Sequence, residues 1–190
     1  MDTDLYNYVK DQFPINDTYC SQNWIFPHHI DIMLKLLDEV TDDFNREVCE
    51  TAIILHDIGL VYKREEKGAD GHEDRSVEFA LDALKNRDTE FIKQVMECIK
   101  ATDPNHNPVT IEEKIVRSVD AFSQIDSFHF FAKAYFAHDL EWFIEWFDTK
   151  IENSKKKICL PYFAERAKPI QELYTRFVKE YKERDAKTRK

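Results

Sequence analysis

The sequence predicts an all-α fold, built as one single-domain helical bundle, from three observations. Apolar residues recur at intervals of three and four along almost the whole chain, which is the period of an amphipathic helix. No stretch shows the alternation of apolar and polar residues that is typical of a half-buried strand. Only three of the 190 residues are glycine and six are proline, so turns are scarce. The length suits one domain with a substantial core.

Proline and glycine divide the first part of the chain into helices. Pro14 is expected to end a first short helix, and Pro27 is suited to the first turn of a second. A third helix is predicted over about 44–57, with Gly59 as its left-handed terminating residue. The later elements follow in order: a charged loop over 63–71, helices over roughly 72–84 and 90–101, a loop over 102–108, and a helix that Thr110–Glu113 opens as a capping box.

The C-terminal part is dense in aromatic residues between 128 and 147. Their helical spacing favours a role in the core and leaves a homodimer seam as an alternative. Lys155–Lys157 is predicted to be an exposed turn, and Pro161 to begin a last helix that fades from about Tyr181. We therefore divide the chain into an N-terminal helical extension (1–23), a core (24–125), C-terminal helices packed on it (126–185) and a polar tail (186–190).

Composition excludes several classes of function. The net charge of −10 argues against general nucleic-acid binding, which requires a basic surface. The four cysteines are scattered without a CxxC pair, which excludes a zinc ribbon and favours free thiols in a reducing compartment. The N-terminus has no basic and apolar leader, and no apolar run reaches the roughly 18 residues that a membrane span needs. We expect a cytoplasmic protein that does not associate with membranes.

The most informative feature is the adjacent pair His56-Asp57 inside the apolar run of residues 51–62. Burying an imidazole and a carboxylate is costly unless something binds them, and a metal ion takes both kinds of ligand. A second such pair, His138-Asp139, lacks apolar flanks and is interpreted as a structural pair at or near the surface.

Two adjacent residues fill too few coordination positions, so further ligands must come from other helices. His29 shares the apolar face of the second predicted helix with Met33, whereas His28 lies on a more polar face. We therefore favour His29 as the inward ligand, with His28 as the alternative. Asp120 leans towards the core face of its helix, although alone it would be interpreted as solvated.

Taken together, these residues resemble the H…HD…D signature of the HD-domain superfamily of metal-dependent phosphohydrolases. The similarity extends over about 24–125 and rests on four segments: His-Ile-x-x-Met-Leu, Leu-His-Asp-Ile-Gly, Gly-His-Glu-Asp-Arg-Ser-Val-Glu-Phe-Ala and Glu-Glu-Lys-Ile-Val-Arg-Ser-Val-Asp-Ala-Phe. The resemblance implies a bundle of the HD type and a hydrolase that uses one or two divalent ions. It implies the metal ligands His29, His56, Asp57 and Asp120. Thr102 stands near the place where two-metal relatives carry a further histidine, which favours a single ion.

The resemblance also implies a reaction and its residues. We expect attack of a metal-activated water on the phosphorus of a small phosphorylated metabolite or nucleotide, with Asp57 orienting the water. The ion could be Mn²⁺, Fe²⁺, Co²⁺, Ni²⁺, Zn²⁺ or Mg²⁺. His72 is a further site candidate, and Lys114 and Arg117 are candidate phosphate-binding cations, as are Lys63, Arg64 and Arg75. The alternatives are a non-catalytic domain that senses a nucleotide or a metal, and a purely structural helical adaptor.

Overall fold

A computed structural model describes residues 1–16, 18–67 and 71–188, and every regular element in this part of the chain is helical. The α-helices are α1 (Thr3–Lys10), α2 (Gln22–Ile25), α3 (Asp31–Leu36), α4 (Arg46–Leu55), α5 (Arg64–Lys67), α6 (His72–Ala83), α7 (Thr89–Lys100), α8 (Ile111–Ile125), α9 (His129–Phe136), α10 (Leu140–Lys157) and α11 (Pro161–Thr188). A π-helical segment (Phe26–Ile30) joins α2 to α3, and 3₁₀ turns (Leu37–Glu39 and Ile58–Leu60) follow α3 and α4. The predicted all-α bundle is confirmed.

Helix α8 lies at the centre of the bundle and contacts α3, α4, α7, α9, α10 and α11. Its start is the predicted capping box, in which the Thr110 hydroxyl accepts from the Glu113 amide and the Glu113 carboxylate accepts in return. From Ile115 to Phe122 the helix is buried on every face. Asp120 is consequently held inside the protein rather than in solvent.

The second predicted helix begins earlier than its proline suggested. The helical run begins at Gln22, and Pro27 lies inside it, within the π-helical segment. Because proline has no amide hydrogen and crowds the preceding turn, the helix widens there, and the Asp31 amide bonds to the Phe26 carbonyl five residues back. This widened turn carries His28 and His29.

Gly59 does not have the left-handed conformation that the sequence suggested. Among the described glycines, only Gly71 has a positive φ, 68°. Gly59 is required by close packing instead, since a Cβ at this position would lie 2.0 Å from the His72 carbonyl oxygen. Helix α6 therefore rests directly on the turn that follows α4.

The C-terminal elements correct two expectations. Lys155–Lys157 is the last turn of α10 rather than a loop, and the Lys157 side chain is buried. The last helix begins at Pro161 as predicted but continues to Thr188, so it includes part of the predicted polar tail. Residues 189–190 of that tail, like 68–70 of the charged loop, lie outside the described residues. No helix in the described ranges is long and apolar enough to cross a membrane.

Candidate metal centre

The turn that carries His56 and Asp57 is held in place by α6. The Ser76 hydroxyl donates to the His56 carbonyl at 2.6 Å and accepts from the Gly59 amide at 2.9 Å. The Arg75 guanidinium donates to the Gly59 carbonyl at 2.8 Å. These bonds satisfy the end of α4 and aim both side chains of the pair at the interior.

Four side chains from three separate segments meet at this point. The His29 and His56 Nε2 atoms lie 3.1 Å apart, and each is 3.4 Å from Asp57 Oδ2. Asp120 Oδ1 approaches the same imidazoles, at 3.3 Å from His29 Nε2 and 3.9 Å from His56 Nε2. His29, His56 and Asp57 offer ligand atoms that all lie within 4.8 Å of one another.

The hydrogen bonds of both imidazoles determine their tautomers. His56 Nδ1 lies 2.8 Å from the Ile53 carbonyl, which can only accept, so Nδ1 carries the proton. His29 Nδ1 lies 2.8 Å from the Ser123 hydroxyl, whose own hydrogen is donated to the Asp120 carbonyl. His29 Nδ1 is therefore also the donor, so Nε2 is the atom of each ring that is left to present a lone pair to a metal ion at the centre.

Neighbouring groups outweigh burial and keep the carboxylates ionised. Burial by itself would raise the pKa of Asp57, but the facing His56 and His72 hold the pKa below its usual range. Burial opposes ionisation of Asp120 in the same way, and the Lys157 ammonium, bonded to Asp120 Oδ2, lowers that pKa well below its usual value. Burial lowers the pKa of His56, and the adjacent His29 lowers it further, which favours the neutral ring.

This arrangement fits a divalent metal ion. Two nitrogen lone pairs and two carboxylates face one another, and such a set of acceptors is unfavourable in the interior without a cation between them. Nitrogen and oxygen ligands that are each about 2.1 Å from one ion lie roughly 3.0 to 3.4 Å apart in octahedral and tetrahedral sites. Four of the five distances given above are 3.1–3.4 Å.

Comparison with known proteins identifies the family. The model of the family described as HD domain matches residues 24–125, which is more than half of the chain. The chain belongs to the HD domain family. No curated protein and no solved structure gave a significant match. The HD match contains all four residues of the candidate centre and ends at the last residue of α8.

The structure distinguishes the paired histidines of the HD core. His29 is 1% exposed and lies in the centre, whereas the half-buried His28 ring packs against Trp24 with 5.4 Å between centroids. The second dipeptide lies on the exposed surface, where Asp139 caps α10 by accepting from the Trp142 amide. Of the sequence candidates, His29 and His56-Asp57 therefore meet, and His28 and His138-Asp139 do not.

His72 lies at the edge of the centre, at the first residue of α6. Its Nε2 is 3.5 Å from Asp57 Oδ1, and its Nδ1 is 3.2 Å from a Glu73 carboxylate oxygen. Burial would lower the pKa of His72, but the bond to Asp57 outweighs it and raises the pKa above its usual value. The protonated form of His72 is thereby favoured beside the centre.

The predicted phosphate-binding cations of the HD core are placed differently from expectation. The Arg117 guanidinium is buried and donates to the carbonyls of Ala101, Asp103, Pro104 and His106, so it holds the 101–106 loop and does not reach the centre. Lys114 is half-buried and does not line the cavity above the centre. Loop carbonyls bind both terminal nitrogens of Arg117, and its role as a phosphate-binding cation stays a prediction. Thr102 lines the cavity, with its hydroxyl bonded to the Ile99 carbonyl at 2.8 Å.

A cavity of about 320 Å³ opens above the centre and extends beyond the HD match. His56, Asp57, His72 and Asp120 lie on one side of it. Sequence reasoning missed the rest of its lining, which includes Tyr19, His129, Lys133, Trp142, Trp146, Lys150 and Lys157. Four of these lie on one face of α10, at spacings of four, four and seven residues. That stripe was visible in the sequence, but its tryptophans were assigned to the core and its last lysine to an exposed turn.

Proposed function

We propose that this HD protein is a metal-dependent phosphohydrolase that acts on a small phosphorylated metabolite or nucleotide. The observation that carries the proposal is the convergence of two Nε2 lone pairs and two carboxylates, each held by a second partner, at the floor of a cavity. The match to the HD domain family supports the proposal, because this family implies the superfamily of metal-dependent phosphohydrolases.

His29, His56, Asp57 and Asp120 would hold the divalent ion. Bound there, a divalent ion would lower the pKa of a water ligand and polarise a phosphoryl oxygen, which is the chemistry that phosphoester hydrolysis at neutral pH requires. The protein's own contribution is to hold the metal-ligating side chains in position before an ion binds. Ser123 and the Ile53 carbonyl orient the imidazoles, and Lys157 orients Asp120.

Asp57 and His72 form the pair of residues that transfers protons in the proposed reaction. Asp57 presents Oδ2 to the two imidazoles and Oδ1 to His72, so one carboxylate faces both the metal position and the cavity. Asp57 therefore orients the attacking water and accepts its proton. His72, whose protonated form Asp57 favours, donates a proton to the departing oxygen of the phosphoester.

The cavity suits a small anion despite the acidic chain. The net charge is −10, yet the described residues of the cavity wall include five cationic side chains: Arg64, Arg75, Lys133, Lys150 and Lys157. The volume of about 320 Å³ is at the small end of ligand pockets, which span roughly 300–1,000 Å³. A phosphorylated metabolite or a mononucleotide fits this combination of size and charge.

The test is a metal-supplemented screen of phosphorylated metabolites on the full chain, followed by single substitutions. We expect release of inorganic phosphate from at least one compound, lost by at least about 1,000-fold in His56→Ala and Asp57→Ala because nucleophile activation is lost. His138→Ala, in the exposed second dipeptide, is the matched control and should keep full activity. Tight binding of a nucleotide with no turnover under any metal would instead identify a sensing domain and contradict the proposal.

A further inference from the structure

Four of the five cations in the cavity wall are already held by other groups. Arg75 donates to the Gly59 carbonyl, Lys157 is bonded to Asp120, and Arg64, at the exposed edge, has a hydrogen bond with Cys20. The Lys133 ammonium lies among three aromatic rings, at 4.6 Å from the Tyr19 centroid and 5.4–5.6 Å from two tryptophans. One of the five cations remains without a comparable set of contacts.

Lys150 is that cation. Within the described residues, its Nζ has no hydrogen-bond acceptor and no carboxylate within ion-pairing distance, and it lies 5.8 Å from the centroid of the Trp146 ring. Lys150 lines the same cavity as Asp57 and Asp120, so its side chain shares that space with the metal centre. Lys150 is half-buried, and its ammonium, with no carboxylate partner among the described residues, is available to an anion that enters the cavity.

The position of Lys150 on α10 restricts where its ammonium can lie. Trp146 precedes it by one helical turn, and Trp142 stacks on Trp146 at 6.3 Å with an angle of 18° between the rings. These rings form the wall on one side of the Lys150 side chain, while Lys157, two turns further along α10, is occupied by Asp120. Lys150 and the two tryptophans therefore line the same cavity as the metal-centre residues.

We propose that Lys150 is the phosphate-binding residue of this site, supplied by α10 from outside the matched HD core. A phosphoryl group above the metal centre would place its anionic oxygens where the unpaired ammonium needs an acceptor. Lys150 thus takes the role that the sequence assigned to Lys114 and Arg117. This inference rests on the proposed function, since it assigns the phosphate contact of the same cavity.

Binding of inorganic phosphate to the full chain, measured by isothermal titration calorimetry, tests the proposal without any turnover. The titration is done on metal-free protein and on protein loaded with one equivalent of Mg²⁺. We expect Lys150→Met to weaken phosphate binding at least about tenfold in whichever form binds it, because the charge-assisted bond to the anion is lost. Lys150→Arg, which keeps the charge, should stay within about threefold of the unmodified chain.

The matched control is Lys156→Met, which removes the same charge from an exposed position of the same helix and should leave phosphate binding unchanged. The proposal is overturned if the unmodified chain binds no phosphate in either form, or if Lys150→Met binds it as well as the unmodified chain does. Phosphate binding that depends on Lys150 with no hydrolysis of any phosphoester would contradict the proposed function alone. Hydrolysis that is indifferent to Lys150 would contradict this inference alone.

A second measurement needs no variant and applies if Lys150→Met fails to fold. Lysine acylation of the native chain, read by mass spectrometry, is compared with and without saturating phosphate. We expect protection of Lys150 by phosphate and none at the exposed Lys156. Equal labelling of Lys150 in both conditions would overturn the assignment.

Discussion

The two walls of the cavity differ in how completely their polar groups are partnered. On the metal side, formed by the π-helical turn, α4, α6 and α8, each ligand is held by a second group, such as Ser123 behind His29 and the Ile53 carbonyl behind His56. On the α10 side, Lys150 has only a ring contact among the described residues, and Trp142 remains half exposed.

Under the proposed function, the difference separates the part of the site that would perform the chemistry from the part that would recognise the substrate. Ligands that are oriented in advance need little reorganisation when an ion binds, which suits the metal side. A cation without a protein partner is available to bind an anionic ligand, which suits the α10 side. The family match ends at residue 125, before α10 begins at Leu140, so it covers the first wall and not the second.

The largest effect is expected at the turn that supports the metal side. Gly59→Ala would place a Cβ 2.0 Å from the His72 carbonyl oxygen, a contact that only backbone movement can relieve. We expect a loss of about 4 kcal/mol or more in the free energy of unfolding, measured by urea denaturation. Gly71→Ala is the control: it introduces no such clash and should cost about 1–2 kcal/mol for its left-handed backbone. Equal losses would show that α6 does not rest on this turn.

The next effect concerns the contact between the two walls. Lys157→Met removes the cation bonded to the buried Asp120 and leaves that carboxylate without its compensating charge. The metal-free protein should lose about 3–5 kcal/mol of unfolding free energy, whereas the exposed Lys156→Met should change it by less than about 0.5 kcal/mol. A divalent ion should restore part of the loss. If denaturation finds Lys157→Met as stable as Lys156→Met, this ion pair does not hold the walls together.

A smaller effect is expected behind the ligands of the metal side. Ser123→Ala removes the acceptor that keeps the proton on His29 Nδ1, so divalent metal affinity should fall about 10- to 100-fold in competition with a chelator. Ser118→Ala is the control on the same helix, where the hydroxyl bonds to the Cys159 and Leu160 amides instead. Its metal affinity should not change. A similar decrease in both variants would point to a general loss of packing.

The smallest effect is the pH dependence of the metal-free protein. Burial lowers the pKa values of His56 and His129, so the unfolded chain takes up protons below about pH 6.5 that these folded residues do not. Their contribution to stability is present above pH 6.5 and is lost as the pH falls. His72 acts oppositely: its raised pKa adds stability that is present below pH 6.5 and lost as the pH rises through the folded pKa.

Below pH 6.5 His72 is protonated in both the folded and the unfolded chain, so the loss of stability there comes from His56 and His129, at most about 1.4 kcal/mol per pH unit for each. Urea denaturation between pH 7.5 and 5.5 measures this slope, and His129→Phe should flatten it. A stability that rises on acidification would show that His72 dominates.

The fold and the metal side could be predicted from local sequence because their determinants are local. The helical periodicity, the Thr110–Glu113 capping box and the apolar run around His56-Asp57 each act within a few residues, and the structure contains all three as helix, cap and buried pair. Helix ends were less predictable. Pro27 does not begin a helix because a π-helical turn accommodates it, and Gly59 is explained by α6, which lies far along the chain.

The α10 side of the cavity could not be predicted from the sequence because it depends on how distant helices pack. Nothing near Arg117 in the sequence indicates that four carbonyls of the 101–106 loop occupy its guanidinium. Lys157 follows two other lysines and looks solvated until α10 packs on α8 and brings it to Asp120. The predicted homodimer seam stays a prediction. Part of its aromatic block lies in the core, as Phe130 and Phe147 do, and part lines the cavity.

Titration of the metal-free full chain with Mn²⁺, followed by calorimetry, tests the central claim most directly. The account predicts one high-affinity site in the unmodified chain, its loss in His56→Ala and its retention in His138→Ala. Equal binding by all three proteins, or no stoichiometric binding by the unmodified chain, would contradict the assignment of His29, His56, Asp57 and Asp120 as a metal centre.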